Sequence, residues 1–323
     1  MRSILITGAT GFIGSHLAER LRSRGEAVTA LVRDPARGRF LESLGVRLLQ
    51  GELDAGPPLP ENLDVVFHLA GLTRARRTEE YYIVNEKGTA SLLDRLPRGN
   101  RRPRFVYLST TAAGGPSLPD RPRREDDPAR PVSEYGRSKL LAEGEVLARR
   151  DRLPVSVVRV GPVYGPRDPG FLDYFKYVRR GVLLSFGRQP RPMSVCYIDD
   201  LVDGLLAAAE PAAGAGEVFN IGDPVPRTFE DLGRAAAGLL GVRARRIILP
   251  FPVIRTAVFF AEAVRPFTRS VGIANRDKYK EYRQKAWVAD MAKAKSRLGF
   301  EASWSLEKGL EKTIAWYRDA GRL

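Results

Sequence analysis

A phenol and an ammonium capable of proton chemistry sit close together in Tyr135-Gly136-Arg137-Ser138-Lys139. The i, i+4 spacing of Tyr135 and Lys139 puts them on one face of a helix. A free tyrosine ionises near pH ~10, too high for a base at neutral pH. A neighbouring cation favours the phenolate and lowers that value by roughly 1–3 units. The pair can then move a proton to or from a substrate oxygen while hydride moves at the adjacent carbon. Lys139 can also bond a ribose hydroxyl. A hydroxyl from Ser109, Thr110 or Thr111, at the end of an apolar run, can polarise the same oxygen.

Alone, this spacing is common on solvated helices. It gains meaning from the chain start, where Gly8, Gly11 and Gly14 stand between a strand-like run and a helical pattern. Glycines at that spacing allow a tight turn, close backbone approach to phosphates, and close helix–sheet packing. The helix N-terminus then offers free N–H groups to a pyrophosphate. The end of the second apolar run selects the cofactor. Val32 occupies the slot where an acidic residue would hold a ribose 2′-hydroxyl, and Arg33 beside it can pair with a 2′-phosphate. This favours NADP and leaves NAD open, because Asp34 could swing inward; its other role is a turn or N-cap beside Pro35.

The elements that carry these residues alternate. Strands are expected over Ser3–Thr7, Ala27–Val32, Arg47–Gln50, Val65–Leu69, Phe105–Ser109 and Val155–Val160. Helices are expected over Gly14–Arg24, Arg37–Leu44, Glu79–Leu96 and Ser133–Arg150. The repetition implies an α/β fold with a doubly wound parallel sheet and ligand sites at the carboxyl ends of its strands. After Gly161 the pattern becomes irregular. Helices are expected over Phe171–Arg180, Asp199–Ala209, Thr228–Leu240 and Leu306–Asp319, with a strand over Glu217–Ile221. This suggests a dinucleotide-binding domain over residues 1–165, with 195–222 packing back on it. Residues 166–194 and 223–323 would form a smaller, discontinuous substrate lobe.

Composition narrows the partners. One cysteine, Cys196, excludes an intramolecular disulfide, and two histidines argue against a Cys/His metal site. No signal-peptide pattern precedes the first strand, so a cytoplasmic location is expected. The net charge of +15 suits anionic partners. Much of it is arginine expected in loops, Arg95 to Arg104 and Arg121 to Arg130. No interleaved aromatic stripe points to nucleic acid. No apolar run reaches the roughly 18 residues of a spanning helix. The nearest, Ile247 to Val264, reads as a helix from about Pro252 with Ile254, Val258, Phe259 and Ala261 toward the core of the second lobe. The other reading is a peripheral membrane contact aided by Arg255, Arg265 and Arg269.

With these motifs in order, the chain resembles an extended short-chain dehydrogenase/reductase of the NAD-dependent epimerase/dehydratase superfamily, over nearly its whole length. The resemblance implies a Rossmann fold. Its nucleotide motif falls on Thr7-Gly8-Ala9-Thr10-Gly11-Phe12-Ile13-Gly14. Gly51-Glu52-Leu53 resembles the adenine-contacting segment, with Glu52 where the family has Asp. His68-Leu69-Ala70-Gly71 resembles a strand that lines the cofactor, and Pro162-Val163-Tyr164-Gly165-Pro166 the segment beside the nicotinamide. Asn85 falls on a residue that supports the active site. Thr110, Tyr135 and Lys139 fall on the catalytic positions. Tyr197-Ile198-Asp199-Asp200 and Asn220-Ile221-Gly222 match further landmarks. A homodimer is also implied.

Departures select a branch. Nucleotide-sugar enzymes of this kind usually have an asparagine where this chain has Pro162, and an arginine where it has Met193; Arg191 is two places away. Neither Pro162 nor Met193 can bind phosphate through its side chain. Val32-Arg33-Asp34-Pro35 and Ser194-Val195-Cys196-Tyr197 are similar to the 3β-hydroxysteroid dehydrogenase and dihydroflavonol reductase branch, which acts on apolar, often polycyclic molecules. Phe171, Tyr174, Phe175, Phe186 and Met193 are candidates to line such a pocket. The leading expectation is therefore an NADP-preferring oxidoreductase interconverting a secondary alcohol and a ketone on a largely apolar substrate. The alternatives are a nucleotide-sugar epimerase or dehydratase with retained NAD, and a non-enzymatic NADP-sensing protein.

Overall fold

Short runs rich in Val, Ile and Leu form the centre of the molecule, where the central strands are buried on both faces. The computed structural model describes residues 1–97, 102–264 and 275–323, with backbone alone for 261–264. Its strands are β1 (Ser3–Thr7), β2 (Ala27–Val32), β3 (Arg47–Gln50), β4 (Val65–His68), β5 (Arg104–Thr110), β6 (Val155–Val160), β7 (Val163–Tyr164), β8 (Val182–Phe186), β9 (Cys196–Tyr197), β10 (Glu217–Ile221) and β11 (Arg245–Leu249). Seven form one parallel sheet in the order β10-β6-β5-β4-β1-β2-β3. The order reverses between β1 and β4, so a crevice opens at their carboxyl ends. The register aligns Thr7 with His68 there.

Alternate residues of a strand face opposite ways. Ile4 and Ile6 join one apolar cluster, which continues through Leu17, Leu201 and Leu205 to Phe175, Leu310 and Tyr317 in the C-terminal part. Leu5 joins the other, with Val66, Phe105, Tyr107, Ala142 and Val146. The irregular part adds two small parallel pairs, β8 with β11 and β7 with β9.

Three expectations change. The helix expected over Glu79–Leu96 is instead an α-turn over Thr78–Tyr81, a π-helical stretch over Tyr82–Lys87, and an α-helix over Gly88–Arg95. Apolar periodicity cannot register the extra residue of a π-turn. The apolar segment near residue 250 is not core-facing. Ile247 and Ile248 on β11, and Val253, Phe259 and Phe260 on the helix Phe251–Val264, are exposed; Val258 alone of the residues named there is buried. The side chain of Ala261 and residues Arg265 and Arg269 lie outside the described residues. Finally, Arg95 and Arg104 are not loop residues. Arg95 ends a helix and donates to the carbonyls of Glu52, Leu53, Ala55 and Pro57. Arg104 opens β5 and donates to Gly214 O. Among the described residues, no helix is long and apolar enough to cross a membrane.

Candidate active site

The glycine turn is built as its sequence demands. Gly8 has φ +73°, and a Cβ there would lie 2.6 Å from Ala70 N. At Gly14 a Cβ would overlap the Gly8 carbonyl. Gly11 N donates to Gly8 O at 3.0 Å, which closes the turn. The helix Phe12–Ser23 begins there without a side-chain cap or an acidic residue in its first turn, so its end attracts an anion. A cleft of about 550 Å³ opens above it, lined by Gly8, Gly11, Phe12, Ile13, Gly14, Leu69 and Gly71. It runs on past Ser109, Thr110, Tyr135, Lys139 and Val163. A dinucleotide fits these residues: the backbone is open where phosphates would approach, and hydroxyl and ammonium groups lie at the far end.

Other predicted cofactor residues lie outside that wall. Thr10 is exposed. Arg33 is exposed and has no partner among the described residues. Asp34 does not turn inward; its carboxylate caps the turn Pro35–Gly38 by accepting from Ala36 N at 3.0 Å. Glu52 is exposed, and Leu53 packs near Gly88. Ala70 N donates to Thr7 Oγ1. Pro162 lines the neighbouring cavity, and its carbonyl accepts from Cys196 N.

The chemical groups converge from three elements. β5 delivers Thr110, whose hydroxyl caps the turn Thr111–Gly114 by accepting from Ala112 N and which shares a cavity wall with the Tyr135 phenol. Tyr135 and Lys139 share the helix Glu134–Leu147, capped by Ser133. That helix approaches the Thr110 turn closely; a Cβ at Gly136 would overlap Ala112 O, so glycine follows Tyr135. Asn85, on the π-stretch, accepts from Leu72 N at 2.7 Å and donates to Leu72 O and Ser138 Oγ. It thereby fixes the loop after β4 against the helix of Tyr135.

Electrostatics differ from expectation. Lys139 is 4% exposed, donates to Leu108 O at 2.7 Å, and lies over the Tyr107 ring. Burial pulls its pKa down to about 7, against the opposing pull of Glu143. Burial pushes the Tyr135 phenol above its ordinary value, and the charge of Lys278 opposes that rise. Lys278 stands 5.0 Å from the Tyr135 ring centroid.

Beneath the site, Glu143 accepts from Ser109 Oγ at 2.5 Å and from both Nε and Nη2 of Arg159. His68 bridges Thr7 Oγ1 and Thr89 Oγ1 at 2.6 and 2.9 Å. Thr89 donates its own proton to Asn85 O, so the imidazole donates from Nε2 and accepts at Nδ1.

A second cavity of about 520 Å³ meets the cleft at Thr110, Tyr135, Gly161 and Val163. Its outer wall includes Phe171, Tyr174, Phe186 and Met193, as expected, with Phe229 and Trp287 in addition. Phe175 is a correction: it is fully buried and packs against Phe171 and Tyr317. Arg191 is also committed elsewhere, donating to the carbonyls of Phe186, Arg283 and Gln284. Sequence reasoning missed Arg74, which lines both cavities, and the helix Arg276–Tyr282, which supplies Lys278 and Glu281. Their i, i+3 spacing reads as an ordinary solvated ion pair. Arg159 gave the better signal, a charge inside a buried, valine-rich strand.

Fold and site together define a dinucleotide-binding enzyme with a tyrosine–lysine pair. Residues 4–222 match the NAD dependent epimerase/dehydratase family, and the chain belongs to it. It is 29% identical to a ceramide reductase of Caulobacter vibrioides (strain NA1000 / CB15N), over 99% of this chain and 96% of the relative. It is 31% identical to a 4-hydroxy-2-methyl-3-oxo-4-farnesyl-3,4-dihydroquinoline-1-oxide ketoreductase of Stigmatella aurantiaca, over 80% and 79%. UDP-glucuronate 4-epimerase 6 of Arabidopsis thaliana is 28% identical, over 98% and 71%. Among solved structures, MoeE5 in complex with UDP-glucuronic acid and NAD is 28% identical, with a TM-score of 0.77 over 98% of this chain and 99% of that one. A UDP-glucuronic acid 4-epimerase from Bacillus cereus in complex with NAD shares the fold, with a TM-score of 0.79, 24% identity and coverage of 98% and 99%.

Proposed function

We propose that this protein is an NAD(P)-dependent oxidoreductase, favouring NADP, that interconverts a secondary alcohol and a ketone on a largely apolar small molecule. The observation that carries the reading is the position of Tyr135 and Thr110 on the wall common to both cavities, one floored by glycines and the other walled by Phe171, Phe186, Met193, Phe229 and Trp287. Residues 166–194 and 223–323 act as the substrate lobe. The branch resembling 3β-hydroxysteroid dehydrogenases and dihydroflavonol reductases fits this reading. So do the names of two relatives, both reductases of lipophilic molecules.

Gly8, Gly11 and Gly14 would hold the pyrophosphate, Lys139 a ribose hydroxyl, and Arg33 a 2′-phosphate. The bound nicotinamide supplies or accepts hydride. Thr110 and Tyr135 present hydroxyls to one substrate oxygen. In the reducing direction Tyr135 gives its proton to that oxygen; in the oxidising direction it takes one. Asn85 holds the loop after β4 so that this arrangement persists. The aromatic wall excludes water and orients an apolar body. The exposed Val253, Phe259 and Phe260 of the helix Phe251–Val264 suit peripheral contact with a lipid surface.

A second reading, a nucleotide-sugar epimerase with retained NAD, draws support from the full-length similarity to UDP-glucuronate 4-epimerases and to MoeE5 with its UDP-sugar. Pro162, Met193 and the tied guanidinium of Arg191 stand against it. The test is to incubate purified protein with NADPH or NADH and a panel of long-chain and polycyclic ketones, and separately with UDP-glucuronic acid. Ketone-dependent cofactor oxidation supports the proposal. Inversion of the UDP-sugar without net cofactor oxidation, by protein purified with bound NAD, overturns it.

A further inference from the structure

We propose that Lys278, with Glu281 as its counter-ion, is a positioning residue that sets the charge state of Tyr135 from the substrate side, as a second ammonium distinct from Lys139. The inference deepens the reading above, since it takes Tyr135 as the proton-transfer group.

The helix Arg276–Tyr282 clasps the N-terminus of the helix that carries Tyr135. Asp277 accepts from Glu134 N at 2.7 Å and from Tyr135 N at 3.0 Å. Glu281 accepts from Ser133 Oγ at 2.7 Å through one oxygen and from Lys278 Nζ at 2.7 Å through the other. Ser133 in turn caps Gly136 N. Ser133, Glu281, Lys278 and Tyr135 therefore form a continuous arc, with Lys278 5.0 Å from the phenol ring centroid. Lys278, Glu281 and Tyr135 all line the apolar cavity.

Lys139 is placed differently. Its Nζ gives one of its three N–H groups to the Leu108 carbonyl, and burial pulls it toward its neutral form near pH 7. Glu281 holds Lys278 protonated well above that. In the neutral pH range, the ammonium that keeps its full charge and faces the phenol is Lys278. Other groups face Tyr135 from each neighbouring element. Thr110 and Tyr107 come from β5, Tyr81 from the helix Thr78–Tyr81, and Glu134 and Lys139 from its own helix. Asp277, Lys278, Glu281 and Tyr282 come from the clasp, and Arg74 and Asp168 from the loops of the shared cavity wall. Of these, Lys278 lies over the phenol ring with Glu281 as its bonded counter-ion, and the two bear on the phenol with opposite signs. Lys278 and Glu281 share the cavity wall with Tyr135, so the pair bears on the phenol from the side on which substrate would lie.

The test uses full-length protein saturated with NADP⁺ and labelled with 13Cζ-tyrosine, the Tyr135 resonance being assigned by its loss in Tyr135→Phe. An opposite charge at this range moves a phenol by roughly one unit or more. Lys278→Gln, which can still donate to Glu281, should raise the Tyr135 midpoint by about one unit. Glu281→Gln should lower it, and Lys278→Arg should return it to the wild-type value. Loosening of the clasp would move both neutral variants the same way, so opposite shifts are specific to charge. An unchanged midpoint in Lys278→Gln, shifts of the same sign in both, or a wild-type phenol that does not titrate below pH ~11 overturns the proposal. Should Lys278→Gln fail to fold, the downward shift in Glu281→Gln decides. The readout needs no turnover: a protein that shows these shifts but reduces no ketone sinks the proposed reaction alone. Turnover with a Tyr135 midpoint indifferent to Lys278 sinks this inference alone.

Discussion

Glu143→Gln tests the polar floor beneath the site. The Glu143 and Arg159 side chains are 2% and 7% exposed, and Arg159 bonds both carboxylate oxygens. An amide of the same shape leaves the guanidinium buried without its counter-charge. Breaking such a pair from one side costs about 3–5 kcal/mol. For 323 residues, at about 2.1 cal/mol/K each near 60 °C, unfolding entropy is about 0.7 kcal/mol/K, so the midpoint should fall by about 4–7 °C. Differential scanning calorimetry on the cofactor-free protein reads this directly. The double variant Glu143→Leu with Arg159→Met removes both charges and should recover most of the loss. There is a functional consequence as well. Glu143 holds the Lys139 pKa up against burial, so its loss moves Lys139 below about 7 and shifts the alkaline limb of the rate profile to lower pH. A midpoint within 1 °C of wild type, or a double variant less stable than the single one, would refute the reasoning.

The fold was legible because its signal is local. Apolar runs such as residues 4–6 and 65–67 mark doubly buried strands, and the glycines at 8, 11 and 14 mark a turn that a Cβ would obstruct. Thr110, Tyr135 and Lys139 were legible because one strand end and one helix turn hold them. The clasp was not, since Lys278 and Glu281 reach the site from residues more than a hundred positions away, on a helix whose charges look solvated in sequence. The helix Phe251–Val264 was misread as core because hydrophobicity alone does not say whether a partner surface exists; Phe259 and Phe260 are exposed. The Leu108 carbonyl that holds Lys139 comes from another element, so spacing along the helix could not reveal it.

Acid stability should depend on His68. Burial first, and the Lys139 charge second, pull its pKa from 6.5 to about 3. The unfolded chain binds that proton as pH falls below about 6.5 and the folded protein does not until about 3. Stability therefore falls across that window by up to ~5 kcal/mol. Urea midpoints at pH 7, 5.5 and 4 should fall less steeply for His68→Gln than for wild type; parallel profiles contradict this. Arg33→Ala should weaken NADPH binding by ~10- to 100-fold, the worth of one hydrogen bond to a charged group, and leave NADH nearly unchanged in fluorescence titration. Equal affinities for the two cofactors, insensitive to Arg33, would defeat the NADP preference. Gly14→Ala should abolish measurable binding of either cofactor, because the added methyl overlaps Gly8 O; retained affinity in the same titration contradicts the assigned cradle.

Deuteride transfer tests the central claim most directly. Wild-type protein given NADPH deuterated at the transferable C4 position, and a ketone that it turns over, should place deuterium on the carbinol carbon, as read by mass spectrometry. Tyr135→Phe should retain cofactor binding and transfer deuterium ~10²–10⁴-fold more slowly. Equal transfer rates in the two proteins would contradict the assignment of the phenol as the proton donor.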